Sequence, residues 1–198
     1  MKIARHTIRV LLAVFVTLVL MLPFAQSAAA DRIWPIQRAN PGLSEEVVRS
    51  LPEIVKNSNV KVAPDFVAGT PIAYPNGELV PGQSAKTVAA ALACTEQVYS
   101  AASGYWGPVA ISCTSIFGSP GYEVVYKWQA TTGDVATKGV VRVRGFSSGT
   151  TEYWKSNGQN IGYETRFITV TWGNVLANLK AQAYKVSGGF AFTAHFWH

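Results

Sequence analysis

A chain of 198 residues can bury a core of its own, so it need not rely on disulfides in place of one. Lys and Arg number 17 against 11 Asp and Glu, but Lys2, Arg5 and Arg9 belong to an N-terminal leader, and the rest carries 14 against 11, a net +3. So thin a charge excludes a nucleic-acid partner as the leading reading, because phosphate binding needs a concentrated basic stripe.

The leader, residues 1–30, reads as a cleaved signal peptide. Its positive start is followed by an apolar run from Val10 to Ala25, and Ala28 and Ala30 place small residues at an A-x-A cleavage site. A retained membrane anchor is the competing reading; Pro23 and the small-residue exit favour cleavage, with a mature chain from Asp31. The expected product is secreted, or periplasmic if the source has an outer membrane, with no stable membrane span after cleavage.

Residues 31–82 read as an N-terminal arm. Asp31 to Ile36 is expected to be extended, with Trp34 packing back. Ser44 has the chemistry of a helix N-cap, and Glu45 and Glu46 suit the positive end of the helix dipole. Val47, Val48, Leu51, Ile54 and Val55 mark one apolar helical face ending near Asn57, and Pro52 should kink or shorten it. Pro64, Pro71, Pro75 and Pro81 then make a proline-rich linker, because each removes a ladder donor. Within it, Ile72–Tyr74 and Glu78–Val80 suit a short edge hairpin about Pro75-Asn-Gly.

Residues 83–198 are expected to form an antiparallel β domain. Thr87–Thr95 (TVAAALACT) fits both periods: Val88, Ala91, Leu92 and Thr95 at helical spacing, or Val88, Ala90, Leu92 and Cys94 on one strand face. The cysteines favour the strand. Their midpoint falls at Ser103-Gly104, a turn dipeptide, and folding there would bring Cys94 opposite Cys113. These are the only cysteines, and export makes a structural disulfide the expected pairing.

Further along, Tyr122, Val124, Tyr126 and Trp128 alternate with Glu123, Val125, Lys127 and Gln129. Thr131 to Asp134 turns the chain into Gly139–Phe146, where Arg142 and Arg144 share a face opposite Val141 and Val143. Thr151–Lys155 is a short strand. Ile161–Trp172, rich in β-branched and aromatic residues, reads as the strand around which the rest is laid, with Ile168, Val170 and Trp172 turned to the core. Gly173-Asn174 is a two-residue hairpin signal, followed by a small-residue face (Val175, Ala177, Leu179, Ala181, Ala183) opposite Asn178, Lys180, Gln182 and Tyr184. Phe190, Phe192 and Phe196 close the chain in an aromatic strand. The expected fold is mainly β: an antiparallel β-sandwich or partly open barrel with a short N-terminal helix and a Pro-rich arm after the signal peptide.

Catalytic signals are sparse. No Gly-x-Ser-x-Gly elbow, zinc-peptidase helix, phosphate loop or calcium loop occurs. His195 and His198 would face opposite sides of a strand, which is poor for sharing a metal, and no cofactor is implied. The candidate binding residues are Tyr153 and Trp154, one of whose rings should be exposed, with Arg142 and Arg144 as their polar half. The functional expectation is therefore a secreted, non-catalytic binding module for a cell-wall glycan or another secreted or surface protein. The alternatives are an antibacterial or membrane-active protein, and a small hydrolase using a carboxylate pair from among Glu123, Asp134, Glu152 and Glu164.

Overall fold

The computed structural model describes residues 33–92, 96–131, 136–159 and 165–198. The fold is mainly β, with two mostly antiparallel sheets and a few short helices, and no closed barrel among the described residues. Residues Ile33 to His198 form one compact unit. The leader, Cys94, Asp134 and the start of the Ile161–Trp172 stretch lie outside the described residues.

Three short helices open the body: α1 (Pro35–Ala39), α2 (Glu45–Ser50) and α3 (Glu53–Lys56). Asp31 and Arg32, the start of the expected extended arm, lie outside the described residues, and from Pro35 the chain is helical, not extended. Pro35 occupies the first helical turn, where its missing N–H costs nothing, and the Gln37 side chain accepts from the Trp34 amide at 2.8 Å. Ser44 caps α2, its Oγ accepting from the Val47 amide at 3.3 Å. Pro52 ends that helix and starts the next by serving as N-cap of α3.

One sheet runs β2 (Ile72–Ala73), β4 (Ala110–Phe117), β9 (Val175–Ser187), β6 (Lys138–Ser148) and β7 (Thr151–Ser156), with β1 (Lys61–Val62) added to β9. The other runs β3 (Gln97–Ser100), β10 (Phe192–Trp197), β5 (Glu123–Ala130) and β8 (Thr165–Thr171). The edge hairpin forms in minimal form: Ala73 bridges Leu79, and the Val80 amide donates to the Ile72 carbonyl at 2.9 Å.

Further expectations are corrected. Ala85–Leu92 is a helix, α4, not a strand. Its alanines favour that state, and Ser84 caps it, accepting from the Thr87 amide at 3.1 Å. The chain does reverse near Ser103-Gly104, but β3 and β4 then enter different sheets. Another correction concerns the organising strand. β8 is an edge, whereas the 13-residue β9 pairs with β1, β4 and β6. Gly173-Asn174 accordingly carries the chain between sheets instead of closing a hairpin.

β9 is central because its inner face is small. Ala177, Leu179, Ala181 and Ala183 are fully buried and leave room for the large rings of the facing sheet, Trp128, Tyr126, Phe192 and Phe196. Trp128 and Phe192 meet edge to face, with centroids 6.3 Å apart. Gly139 makes the same allowance, since a Cβ there would lie 2.3 Å from the Phe192 ring. A second apolar cluster joins Leu176, on the outer face of β9, to Ile36, Leu51, Val55, Val60, Ile72 and Val80. The N-terminal segment thus covers the first part of that outer face.

Candidate functional site

Alternation along β9 sends Leu176, Asn178, Lys180, Gln182 and Tyr184 to the outer face of its sheet, and these five residues divide that face into three bands. Leu176 lies under the helices, as described. Asn178 and Lys180 mark a band of charge. Gln182 and Tyr184 mark a band of rings and arginine beyond the reach of the N-terminal segment.

In the charged band, Arg144 is completely buried. Its Nη1 donates to both Asp65 carboxylate oxygens, at 3.0 and 2.8 Å, and to Glu152 Oε2 at 3.2 Å, while Nη2 donates to the Asn178 carbonyl. Lys180 pairs with Asp65 and lies 3.7 Å from Glu152. Burial works to raise the Asp65 carboxyl, but the hydrogen bond from Lys180 and the neighbouring Arg144 outweigh it and hold the group below the ordinary carboxylate range. The Val67 amide donates to Asn178 Oδ1 at 3.0 Å, so the segment around Asp65 is tied down from two sides. Arg144 therefore clamps the arm to the sheet and is not available as an exposed binding group.

In the third band, Arg142 lies between two indoles. Its Cζ is 4.1 Å from the centre of the Trp106 ring and 5.0 Å from that of Trp154. Trp106 is braced in turn by Tyr184, with centroids 5.3 Å apart. Arg142 Nε and Nη2 both donate to Gln182 Oε1, at 2.9 and 2.6 Å, and Gln182 Nε2 donates to the Gly107 carbonyl at 2.9 Å. Burial pulls the Arg142 guanidinium down from its ordinary pKa. Tyr105, beside Trp106, is 73% exposed, and Trp106 itself 36%. The result is a platform of mutually packed rings around one arginine, partly open to solvent.

No protein-family model matches the sequence, and no curated protein does. The geometry alone speaks for the site.

Of the four expected binding residues, Arg142 and Trp154 come together. Tyr153 points the other way. It packs over Gly145, and its hydroxyl accepts from the Thr171 amide at 2.9 Å, joining β7 to the edge of the opposite sheet. Lys155 and Asn157 donate to the Thr169 and Phe167 carbonyls, both at 2.8 Å, and continue that seam. Trp106, Gln182 and Tyr184 were missed. Gln182 and Tyr184 carry a signal, since they share the polar face of β9. Trp106 arrives through the loop before β4, where it bridges Tyr184.

Cys113 lies on β4, and because Cys94 is outside the described residues its pairing is not placed. His195 and His198 stand at the end of the chain, and among the described residues no three His, Cys, Asp or Glu side chains gather as a metal site. Of the four carboxylates considered for a hydrolytic pair, Asp134 and Glu164 are outside the described residues, and Glu152 is engaged by Arg144. Grooves of about 530 and 440 Å³ border the helices. The first is lined by no carboxylate and the second only by Glu53, which is paired with Lys56 at 3.1 Å.

Proposed function

We propose that this protein is an exported, non-catalytic β-sandwich module that binds a cell-envelope glycan through the band formed by Trp106, Arg142, Trp154 and Tyr184. The observation that carries this reading is the fixed platform itself. Sugar rings present C–H faces that stack on aromatics, and rings held by a sheet cost little ordering entropy on binding. Gln182 and Arg142 add hydrogen-bonding groups at the same place. Export is proposed from the leader, and N-terminal sequencing of the protein recovered outside the cell should begin at Asp31. Co-sedimentation with insoluble cell-wall material tests the binding. The wild-type protein should pellet, and Trp154→Ala should weaken pelleting by about tenfold or more, equivalent to ~1.4 kcal/mol or above. Equal pelleting of the two would remove the platform from the argument.

A second reading, a membrane-active protein, is favoured by the outer face of the other sheet. There Phe167, 53% exposed, and Trp197 flank Lys127 on neighbouring strands. No helix among the described residues is long and apolar enough to cross a bilayer. Leakage of dye from anionic vesicles would support it, and intact vesicles at micromolar protein would rule it out.

A further inference from the structure

The two arginines of β6 lie two residues apart on one face and meet opposite fates. Arg144 is neutralised by Asp65 and Glu152. Arg142 has no carboxylate partner among the described residues; the only hydrogen-bond partner of its guanidinium there is the neutral amide oxygen of Gln182. That oxygen occupies one edge of the guanidinium, the edge shared by Nε and Nη2. The indoles of Trp106 and Trp154 flank the planar group. What remains is the end-on fork of Nη1 and the second Nη2 hydrogen.

We propose that this fork is an anion receptor, and that the ligand of the platform is an acidic envelope polysaccharide whose carboxylate or phosphodiester docks on Arg142 while an adjacent sugar stacks on the exposed indole and phenol rings. The inference rests on the glycan reading above and narrows it to charged polymers. Four physical arguments support it. A guanidinium presents two parallel donors that match carboxylate and phosphate oxygens, and charge-assisted pairs of this kind are about twice as strong as neutral ones. The flanking indoles favour the cation and restrict its rotamers, so little entropy is lost when an anion arrives. Gln182 is itself held by the Gly107 carbonyl, so the arginine is aimed before any ligand binds. A neutral sugar would leave this partly desolvated cation unpaired, whereas an anion would compensate it.

Affinity electrophoresis of the full chain tests the proposal, with four polymers in the gel: polygalacturonate, its fully methyl-esterified form, poly(glycerol phosphate) and dextran. The expected result is retardation by polygalacturonate or by poly(glycerol phosphate), weakened by salt, with methyl-esterified polymer and dextran at least about tenfold weaker. Which acidic polymer retards more identifies carboxylate or phosphodiester as the natural group. Arg142→Gln should abolish the preference for acidic polymers, and Arg142→Lys, which keeps the charge but loses the fork, should restore only part of it. Near-ultraviolet circular dichroism of each variant should retain the wild-type aromatic signature, so that loss of binding is not loss of fold. If wild type and Arg142→Gln are retarded equally by charged and neutral polymers while Trp154→Ala is not retarded, the anion receptor is refuted and the glycan reading stands. If no polymer retards the wild-type chain, or if both Trp154→Ala and Arg142→Gln behave as wild type, both readings fall together.

Discussion

At Gly107 the loop before β4 runs so close to β3 that an added Cβ would lie 1.8 Å from the Tyr99 carbonyl oxygen. That approach brings Trp106 beside Tyr184, and the Gly107 carbonyl receives Gln182. Gly107→Ala should therefore destabilise the fold by about 1–3 kcal/mol, as backbone is pushed apart, and displace Trp106 as well. Urea unfolding followed by tryptophan fluorescence measures this, and an unchanged midpoint would mean that the loop relaxes freely.

Asp65 makes a prediction about pH. Its folded pKa lies below the ordinary 3.8, so in acid the unfolded chain binds a proton that the folded one does not. The stabilisation from this carboxylate is complete above about pH 4 and is lost as pH falls through the folded value. Wild-type protein should lose more stability between about pH 6 and pH 2 than Asp65→Asn, and parallel stability curves for the two would contradict the assignment.

Among the elements, the seam between β7 and β8 stands out. An edge strand offers unpaired backbone groups to any passing chain, and edges are often blunted by charged side chains or covered by other segments. Here three side chains of β7 and the residue after it close the edge of β8, through the Thr171 amide and the Thr169 and Phe167 carbonyls. Tyr153→Phe keeps the ring over Gly145 and removes only the hydroxyl. It should cost about 1 kcal/mol and speed hydrogen exchange at the Thr171 amide. If that amide exchanges as in the wild type, the hydroxyl does not protect it.

α4 shows why element type was partly misread. Thr87–Thr95 fits both a helical and a strand period, and the spacing of the two cysteines favours the strand; the alanines and the cap that Ser84 provides make Ala85–Leu92 a helix. Where a local signal was strong and unopposed, as at Ser44 and Pro52, the element formed as its residues require.

For the whole molecule, the alternation of polar and apolar side chains was enough to determine a mainly β fold, the inward faces of β5, β6, β8 and β9, and the places where the chain turns. These are short-range properties: each residue's preference for a pleat or a tight turn is felt over two to four positions. Which strand lies beside which was not legible. Turn residues near Gly104, Gly173 and Gly188 reverse the chain equally well into the same sheet or the opposite one, and at all three it crosses. The fate of the arginines was likewise decided only in three dimensions. Arg142 and Arg144 share a face and a strand, but Asp65 arrives from 79 residues away to neutralise one, and Trp106 arrives from the loop before β4 to flank the other. A residue's own sequence neighbourhood sets its direction from the sheet. What it meets there depends on distant segments, whose arrival is governed by the packing of the whole core.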